Sequence, residues 1–148
     1  MTVLAVRICV SLFAVSVILT GCGTTGGARA VGGLLGKTAP SAQEARSAGY
    51  IAALQGGVVA RAGGANLSKA DQQRALEAEY RALEAAPGGQ PVTWEGRGVN
   101  GSVVAAAPYQ VGSQNCRQYS HTLTIGAQAT TARGAACRNG DGTWTPLS

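Results

Sequence analysis

The chain has 148 residues, with 12 Lys or Arg against 7 Asp or Glu and a single His, for a formal net charge of +5. This length allows one small domain together with a targeting segment and a linker. The basic residues are scattered without a run, so no nucleic-acid interface is predicted. The excess positive charge has two interpretations, attraction to an anionic lipid or polymer or a simple solvated surface, and the scatter favours the second.

Residues 1–21 have the pattern of a secretory leader. Arg7 precedes an apolar run over residues 8–19, and small residues come before Cys22. The run is about 12 residues, well short of the roughly 20 that a membrane-spanning helix needs. Leu19-Thr20-Gly21-Cys22 resembles a bacterial lipobox, which implies cleavage before Cys22 and acylation of that cysteine. More than one acyl chain gives stable membrane anchoring.

Gly23 rather than Asp follows the cysteine, which by analogy with lipoprotein sorting predicts the outer membrane. An ordinary signal peptide with an accidental cysteine is the alternative. Residues 21–26 also match G-x-G-x-x-G, but no strand precedes them and cleavage would divide the motif. They therefore predict no dinucleotide site.

Residues 22–66 are rich in Gly and Ala. Two glycine pairs, Gly23/Gly27 and Gly32/Gly36, have the small-x-x-x-small spacing that lets helices approach closely in lipid. The segment is therefore either a degenerate glycine zipper on or partly in the membrane, or a flexible tether. Charged residues interrupt the pattern, and the tether is the interpretation we favour.

Residues 68–85 predict a helix. Ser68 can cap its start, and Leu76, Tyr80 and Leu83 form one apolar stripe at i, i+4 and i+7. A Pro-Gly-Gly sequence then ends the helix. The stripe is narrow, so we expect the helix to lie on one face of a sheet.

Short alternating runs follow Pro91, and turn signals separate them. The runs cover residues 92–95, 102–107, 116–125, 128–137 and 143–147. Over residues 67–148 the sequence therefore predicts an α+β domain, with one helix packed on a small antiparallel sheet of four to five strands.

Two cysteines remain for the exported domain, because Cys9 leaves with the leader and Cys22 takes lipid. An oxidising compartment then predicts a disulfide between Cys116 and Cys137. No C-x-x-C motif is present, and His121 alone cannot complete a zinc site with these two cysteines, so neither a metal nor another cofactor is predicted.

The turn at Gly126-Ala127 gives an independent reason for this pairing. Gly at the first central position suits a two-residue hairpin turn, which sets Ile125 opposite Gln128. Nine steps further, Cys116 and Cys137 stand directly opposite in a non-hydrogen-bonded pair, within disulfide reach. The face expected under the helix carries five residues, which are Tyr119, Leu123, Ile125, Ala132 and Ala136.

No constellation of nucleophile, base and orienting group is recognisable, so we expect no enzyme. His121 alternates in register with apolar strand residues, which predicts a half-buried structural side chain. Arg117 and Arg138 flank the cysteines and either bind an acidic glycan or partner, or are simply solvated. Residues 139–142 lack the spaced oxygen ligands of a cation loop and predict a plain turn.

Two linked motifs carry a family resemblance. Cys116-Arg117-Gln118-Tyr119 is followed by Gly134-Ala135-Ala136-Cys137-Arg138 and then by Asp141-Gly142-Thr143-Trp144. Together with the lipobox and the helix around residues 75–84, they resemble the rickettsial-type 17 kDa surface antigen proteins. The resemblance implies an outer-membrane lipoprotein with a surface antigen domain and without known enzyme activity. We expect a structural or interaction role at the outer membrane, with an envelope protein or glycan as partner. A periplasmic binding or inhibitor module, acting on an envelope polymer or a partner enzyme, is the alternative.

Overall fold

Six strands and two α-helices make up residues 41–147, the part of the chain that the computed structural model describes. The expected α+β fold with one helix on four to five strands is therefore wrong, because the described residues form a β-rich fold. The predicted leader, the lipid site at Cys22 and both glycine pairs lie outside the described residues.

The strands form one antiparallel sheet. Along the chain they are β1 (Pro91–Glu95), β2 (Val99–Ala105), β3 (Tyr109–Val111), β4 (Gln114–Ile125), β5 (Gln128–Arg138) and β6 (Trp144–Leu147). Their order in the sheet is β1-β2-β4-β5-β6, and β3 also pairs with β4. The short β3 lies end to end with β2 along the same edge of β4. It is absent from the sequence prediction because it has three residues and directly follows Pro108.

The predicted register of the long hairpin is confirmed. Ile125 lies opposite Gln128, and Cys116 lies opposite Cys137. Gly126 has φ +57°, a backbone conformation that the first central position of this turn requires and that glycine adopts without strain. The turn thus sets the alignment of the whole hairpin down to the two cysteines.

The predicted helix is confirmed as α2 (Lys69–Glu84), with the Ser68 hydroxyl accepting the Asp71 N–H at 3.2 Å. Its predicted apolar stripe is only partly right. Leu83 is buried, whereas the rest of the buried face is made by Ala75, Ala78, Glu79 and Ala82. Alanine side chains bring the helix close to the sheet. Leu76 and Tyr80 consequently lie on its flank and are half-buried.

A second helix, α1 (Ala42–Ala53), replaces part of the predicted tether. Ser41 and Glu44 form a reciprocal capping box at its start, with the Ser41 N–H donating to the Glu44 carboxylate at 2.7 Å. The ring of Tyr50 near its end stacks on Tyr80 with centroids 5.3 Å apart. No helix among residues 41–147 is both long and apolar enough to cross a bilayer.

The segment between the helices completes the core. Leu54, Val58, Val59 and Ala62 are buried and pack with residues of α2 and the sheet. A flexible tether is therefore the wrong description of residues 41–66. The Gly-rich composition does not indicate that this segment is part of the core. The glycines form tight turns between its few large apolar residues.

The sheet face towards α2 is the predicted one. Tyr119, His121 and Leu123 are all buried on it, whereas Ile125, at the turn, is 48% exposed. The opposite sheet face is rich in Thr and Ser and carries no helix among the described residues. The core thus lies between α2, the segment 54–66 and one face of the sheet.

Candidate functional site

The disulfide is where the sequence predicts it. Cys116 and Cys137 are bonded, with their Cα atoms 4.0 Å apart. Both are buried, at the end of the hairpin away from its turn. The bond fixes β4 to β5 beside the C-terminus of α2, where Arg117 and Arg138 also lie.

Arg117 is neither a partner-binding nor a solvated residue, so both interpretations of it are wrong. It is only 5% exposed, and its guanidinium donates to the carbonyls of Ala82, Leu83 and Ala86 at 2.9–3.0 Å. The carbonyls of Ala82 and Leu83 belong to the last turn of α2, which leaves them without helical partners. Burial lowers the pKa of Arg117. Its charge matches the negative end of the helix dipole.

Arg138 is partly exposed but already paired. Its guanidinium donates two hydrogen bonds to the Glu84 carboxylate, at 2.8 and 2.9 Å, and the Trp144 indole donates a third at 2.8 Å. The hydrogen bonds from Arg138 are the main reason that the pKa of Glu84 is lowered. The arrangement ties the end of α2 to β5 and β6, so Arg138 has a structural partner within the domain.

A row of buried, hydrogen-bonded side chains, which the sequence did not predict, crosses the core. Glu79 accepts the backbone N–H groups of Val58 and Val59 at 3.1 and 2.7 Å, and its Oε1 lies 2.8 Å from His121 Nδ1. On the other side of the imidazole, Trp94 Nε1 lies 2.8 Å from His121 Nε2. The side chains of Glu79 and His121 have no solvent exposure at all.

This geometry assigns the imidazole tautomer. The indole N–H of Trp94 is a donor only, so His121 Nε2 must be its acceptor. The proton of a neutral imidazole is then on Nδ1, from which it is donated to the Glu79 carboxylate. His121 is thus fully buried rather than half-buried, and both of its nitrogens are in use.

A carboxylate next to an imidazole resembles part of a hydrolase site. In such a site a nucleophile lies on the other side of the imidazole, whereas here the Trp94 indole does. A nucleophile would have to donate its proton to His121 Nε2, and that position receives the Trp94 N–H instead. Substrate also has no access to these buried atoms. Within residues 41–147 no group of three or more His, Cys, Asp or Glu side chains could hold a metal ion.

Two features of the sequence point towards this row of buried side chains. Glu79 stands among Ala75, Ala78 and Ala82, so a carboxylate lies on the helix face with the smallest side chains. Gly101 lies opposite Trp94, and a Cβ at that glycine would meet both the indole and the imidazole. The two features lie on different elements, and the fold is needed to connect them.

Tyr119 adds a second buried polar group beside this row. Its hydroxyl is buried without a hydrogen-bond partner among the described residues. Burial, together with the negative charge of Glu79, raises the pKa of this phenol far above its usual value. The hydroxyl is therefore neutral at ordinary pH.

A surface cleft lies between the start of α2 and the β1–β2 turn and has a volume of about 710 Å³. Exposed Arg97, Glu95 and Ile125 line it, together with Arg74, which donates to the buried Asp71 carboxylate at 2.6 Å. The hydrogen bond from the Ser68 hydroxyl is the first cause of the lowered pKa of Asp71. The cleft thus combines an apolar wall with charges of both signs.

The match to known proteins covers the sheet and the end of α2. Residues 81–145 match the model of a family described as the 17 kDa outer membrane surface antigen. The proteins named 17 kDa surface antigen from Rickettsia bellii (strain RML369-C) and Rickettsia prowazekii (strain Madrid E) are each 38% identical to this chain, over 84 and 76 residues. That from Rickettsia japonica (strain ATCC VR-1363 / YH) is 37% identical over 83 residues.

These matches cover only part of this chain and only part of each relative. They cover 55%, 49% and 54% of this chain and 53%, 48% and 52% of the respective relatives, so the chain spans about half the length of the curated relatives it matches. No solved structure matches the chain significantly. Residues 81–145, which include five complete strands and the disulfide, are thus similar to the 17 kDa outer membrane surface antigen family.

Proposed function

We propose that the protein is an outer-membrane lipoprotein whose lipid on Cys22 holds a disulfide-stapled β-rich domain at the envelope, where it has a structural or interaction role. Leu19-Thr20-Gly21-Cys22, which closes a short apolar run, is the observation that carries this proposal. The family description, which includes the words outer membrane, supports the location. The partner is proposed to be an envelope protein or glycan.

The proposal includes no catalytic step. The single histidine of the sequence has both ring nitrogens committed, to Glu79 and to Trp94. Arg117 and Arg138, the polar side chains beside the disulfide, are bonded within the domain. These observations favour a domain whose internal polar groups serve stability and whose surface makes the contacts.

Metabolic labelling with an alkyne fatty acid tests the anchor. The wild type and the matched control Cys9→Ser should both carry the label, whereas Cys22→Ser should carry none. Separation of inner and outer membranes should then place the labelled protein in the outer-membrane fraction. Equal labelling of Cys22→Ser and the wild type would contradict the proposal.

The cleft next to Ile125 favours one second candidate, a binding or inhibitor module for an envelope polymer or partner enzyme. Its volume lies within the usual range for ligand sites, roughly 300–1,000 Å³. Capture of partners with the full chain from detergent-solubilised envelope tests it. A partner bound in the cleft should be lost with Arg97→Ala and kept with Arg46→Ala, which alters an exposed arginine on α1.

A further inference from the structure

In the part of the chain that the structure describes, one half of β5 has an unpaired edge. On one side β5 pairs with β4 over residues 128–137, but on its other side β6 covers only residues 135–138. Residues 128–132, here called the open half of β5, are exposed except for Ala132. Unpaired strand edges present backbone donors and acceptors to any strand that can approach them.

The register shows which backbone groups point outward. Ala106 N–H donates to the carbonyl of Gln118, its opposite residue in the β2–β4 alignment, at 2.8 Å. Hydrogen-bonded and non-hydrogen-bonded pairs alternate in antiparallel strands, so even-numbered residues of β4 bond towards β2 and odd-numbered ones towards β5. Thr130, which pairs with Leu123, therefore bonds to β4, while Ala129 and Thr131 direct their N–H and C=O groups outward.

A side chain of the same chain marks the end of this open edge. Arg61 Nη2 donates to the carbonyl of Arg133 at 2.9 Å, which occupies the next outward acceptor along β5. No described residue makes a comparable hydrogen bond with the outward groups of Ala129 and Thr131. Among the described residues, Ala129 and Thr131 thus leave two donors and two acceptors unpaired at this edge.

The β1 and β6 edges carry residues that oppose strand addition, and the open half of β5 does not. The β1 edge contains Pro91 and Glu95, and Pro146 lies in the middle of β6. Proline lacks an N–H, and charges on an edge discourage pairing. The open half of β5 reads Gln-Ala-Thr-Thr-Ala, without a proline or a charge and with two β-branched residues.

We propose that the open half of β5 pairs antiparallel with the same segment of a second copy of this chain. In the proposed register Thr130 lies opposite its own counterpart, and Ala129 lies opposite Thr131 of the second copy. Such a two-fold contact is self-complementary, as a symmetric dimer requires. It satisfies every outward group of Ala129 and Thr131 through four backbone hydrogen bonds.

Within residues 41–147, the elements next to β5 do not overlap this register. The β4–β5 turn of the second copy would come opposite Arg133, whereas the pairing of β5 with β6 begins at Ala135, opposite Leu147. The second copy would therefore meet β6 end to end along the edge of β5. Arg133 faces the turn of the second copy, so no two like charges stand directly opposite each other.

The contact is small, and its strength depends on where the protein is held. Four backbone hydrogen bonds give a weak association between free molecules, but copies confined to one membrane have a high effective concentration. In this respect the inference rests on the proposed lipid anchor. The two must therefore be tested by separate readouts on the same samples.

Cysteine cross-linking of the full chain in native envelopes tests the pairing. Opposite residues of a non-hydrogen-bonded pair have Cα atoms about 4.5 Å apart, within disulfide reach. Mild oxidation should therefore convert Thr130→Cys mainly to a disulfide-linked dimer. Thr93→Cys, an exposed threonine on the opposite edge of the sheet, is the matched control and should stay monomeric, as should Thr131→Cys, whose counterpart is offset along the strand.

Ala129→Pro in the Thr130→Cys background should strongly reduce the dimer, because it removes an outward N–H without touching the β4–β5 hydrogen bonds. If Thr130→Cys does not accumulate, a photo-cross-linking residue at that position gives the same readout. No dimer from position 130, equal dimer from position 93, or more dimer from Thr131→Cys would overturn the proposal. Fatty-acid labelling of the same samples reports the anchor separately, and dimers of the wild type would indicate a free Cys22.

Discussion

The indole N–H of Trp94 donates to Nε2 of His121 at 2.8 Å, between two residues that lie on different strands of the sheet. This contact uses the nitrogen that a catalytic imidazole would need, and it leaves Nδ1 to donate to Glu79. Gly101 makes the contact possible, because a side chain there would occupy the space of both rings. The three side chains thus connect α2, β1 and β4 inside the core.

The substitution Glu79→Gln tests this connection. The amide can accept at one atom only, so a backbone N–H of Val58 or Val59 loses its acceptor. A buried polar group without a partner costs about 1–3 kcal/mol, and we expect a loss of that size or larger in the free energy of unfolding. Denaturant titration measures it.

Glu77→Gln is the matched control on the same helix, since Glu77 is exposed. It should change the free energy of unfolding by no more than about ±0.5 kcal/mol. Equal, small effects of the two substitutions would show that Glu79 does not hold the segment of Val58 and Val59.

Leu83→Ala should destabilise the domain by about 2–5 kcal/mol, because the leucine is buried against the sheet and its truncation leaves a cavity. Leu76→Ala should cost clearly less, since Leu76 is only half-buried on the flank of α2. The comparison of the two midpoints in urea distinguishes the observed buried face from the apolar stripe that the sequence predicts. Equal losses would place both residues in the core.

Cys116→Ser should lower the melting temperature under oxidising conditions. The bond joins residues 21 apart in sequence. A loop of that length gives roughly 3 kcal/mol of stabilisation in the chain-entropy model. Melting curves of oxidised and reduced wild type should differ by a similar amount, and this difference should vanish in the variant. A variant as stable as the oxidised wild type would show that the disulfide does not contribute to stability.

Acid should weaken the contact between Glu84 and Arg138. The hydrogen bonds from Arg138, followed by that from Trp144, lower the pKa of Glu84 in the folded state. Its contribution to stability is therefore present above the pKa of the unfolded state, about 4.3, and is lost as pH falls through the lower folded value. Glu84→Gln should flatten the pH dependence of the unfolding midpoint in that range. An unchanged pH profile would contradict the assignment.

Local rules predicted the elements that local sequence determines. The helix cap at Ser68 and the turn at Gly126 involve neighbouring residues, and the turn alone was sufficient to align Cys116 with Cys137. Contacts between distant segments were not accessible in this way. The burial of Arg117 depends on the end of α2 lying beside β4. Neither the sequence of α2 nor that of β4 indicates that the two elements meet there.

The segment over residues 41–66 shows a second limit. Its Gly and Ala content is typical of a linker, and few large apolar residues interrupt it. Those few, including Leu54 and Val58, become buried because turns at glycines bring them over α2 and the sheet. Gly57 has a positive φ and lies against the Glu79 carboxylate, so the glycine is required for contact rather than for flexibility.

Intact-mass analysis of the protein extracted from membranes tests the lipid anchor and the disulfide together. After treatment with iodoacetamide without reduction, the protein should begin at Cys22, carry the added mass of lipid, and take up no alkylating agent. A chain that begins at another residue, lacks lipid, or is alkylated at Cys116 and Cys137 would contradict this expectation.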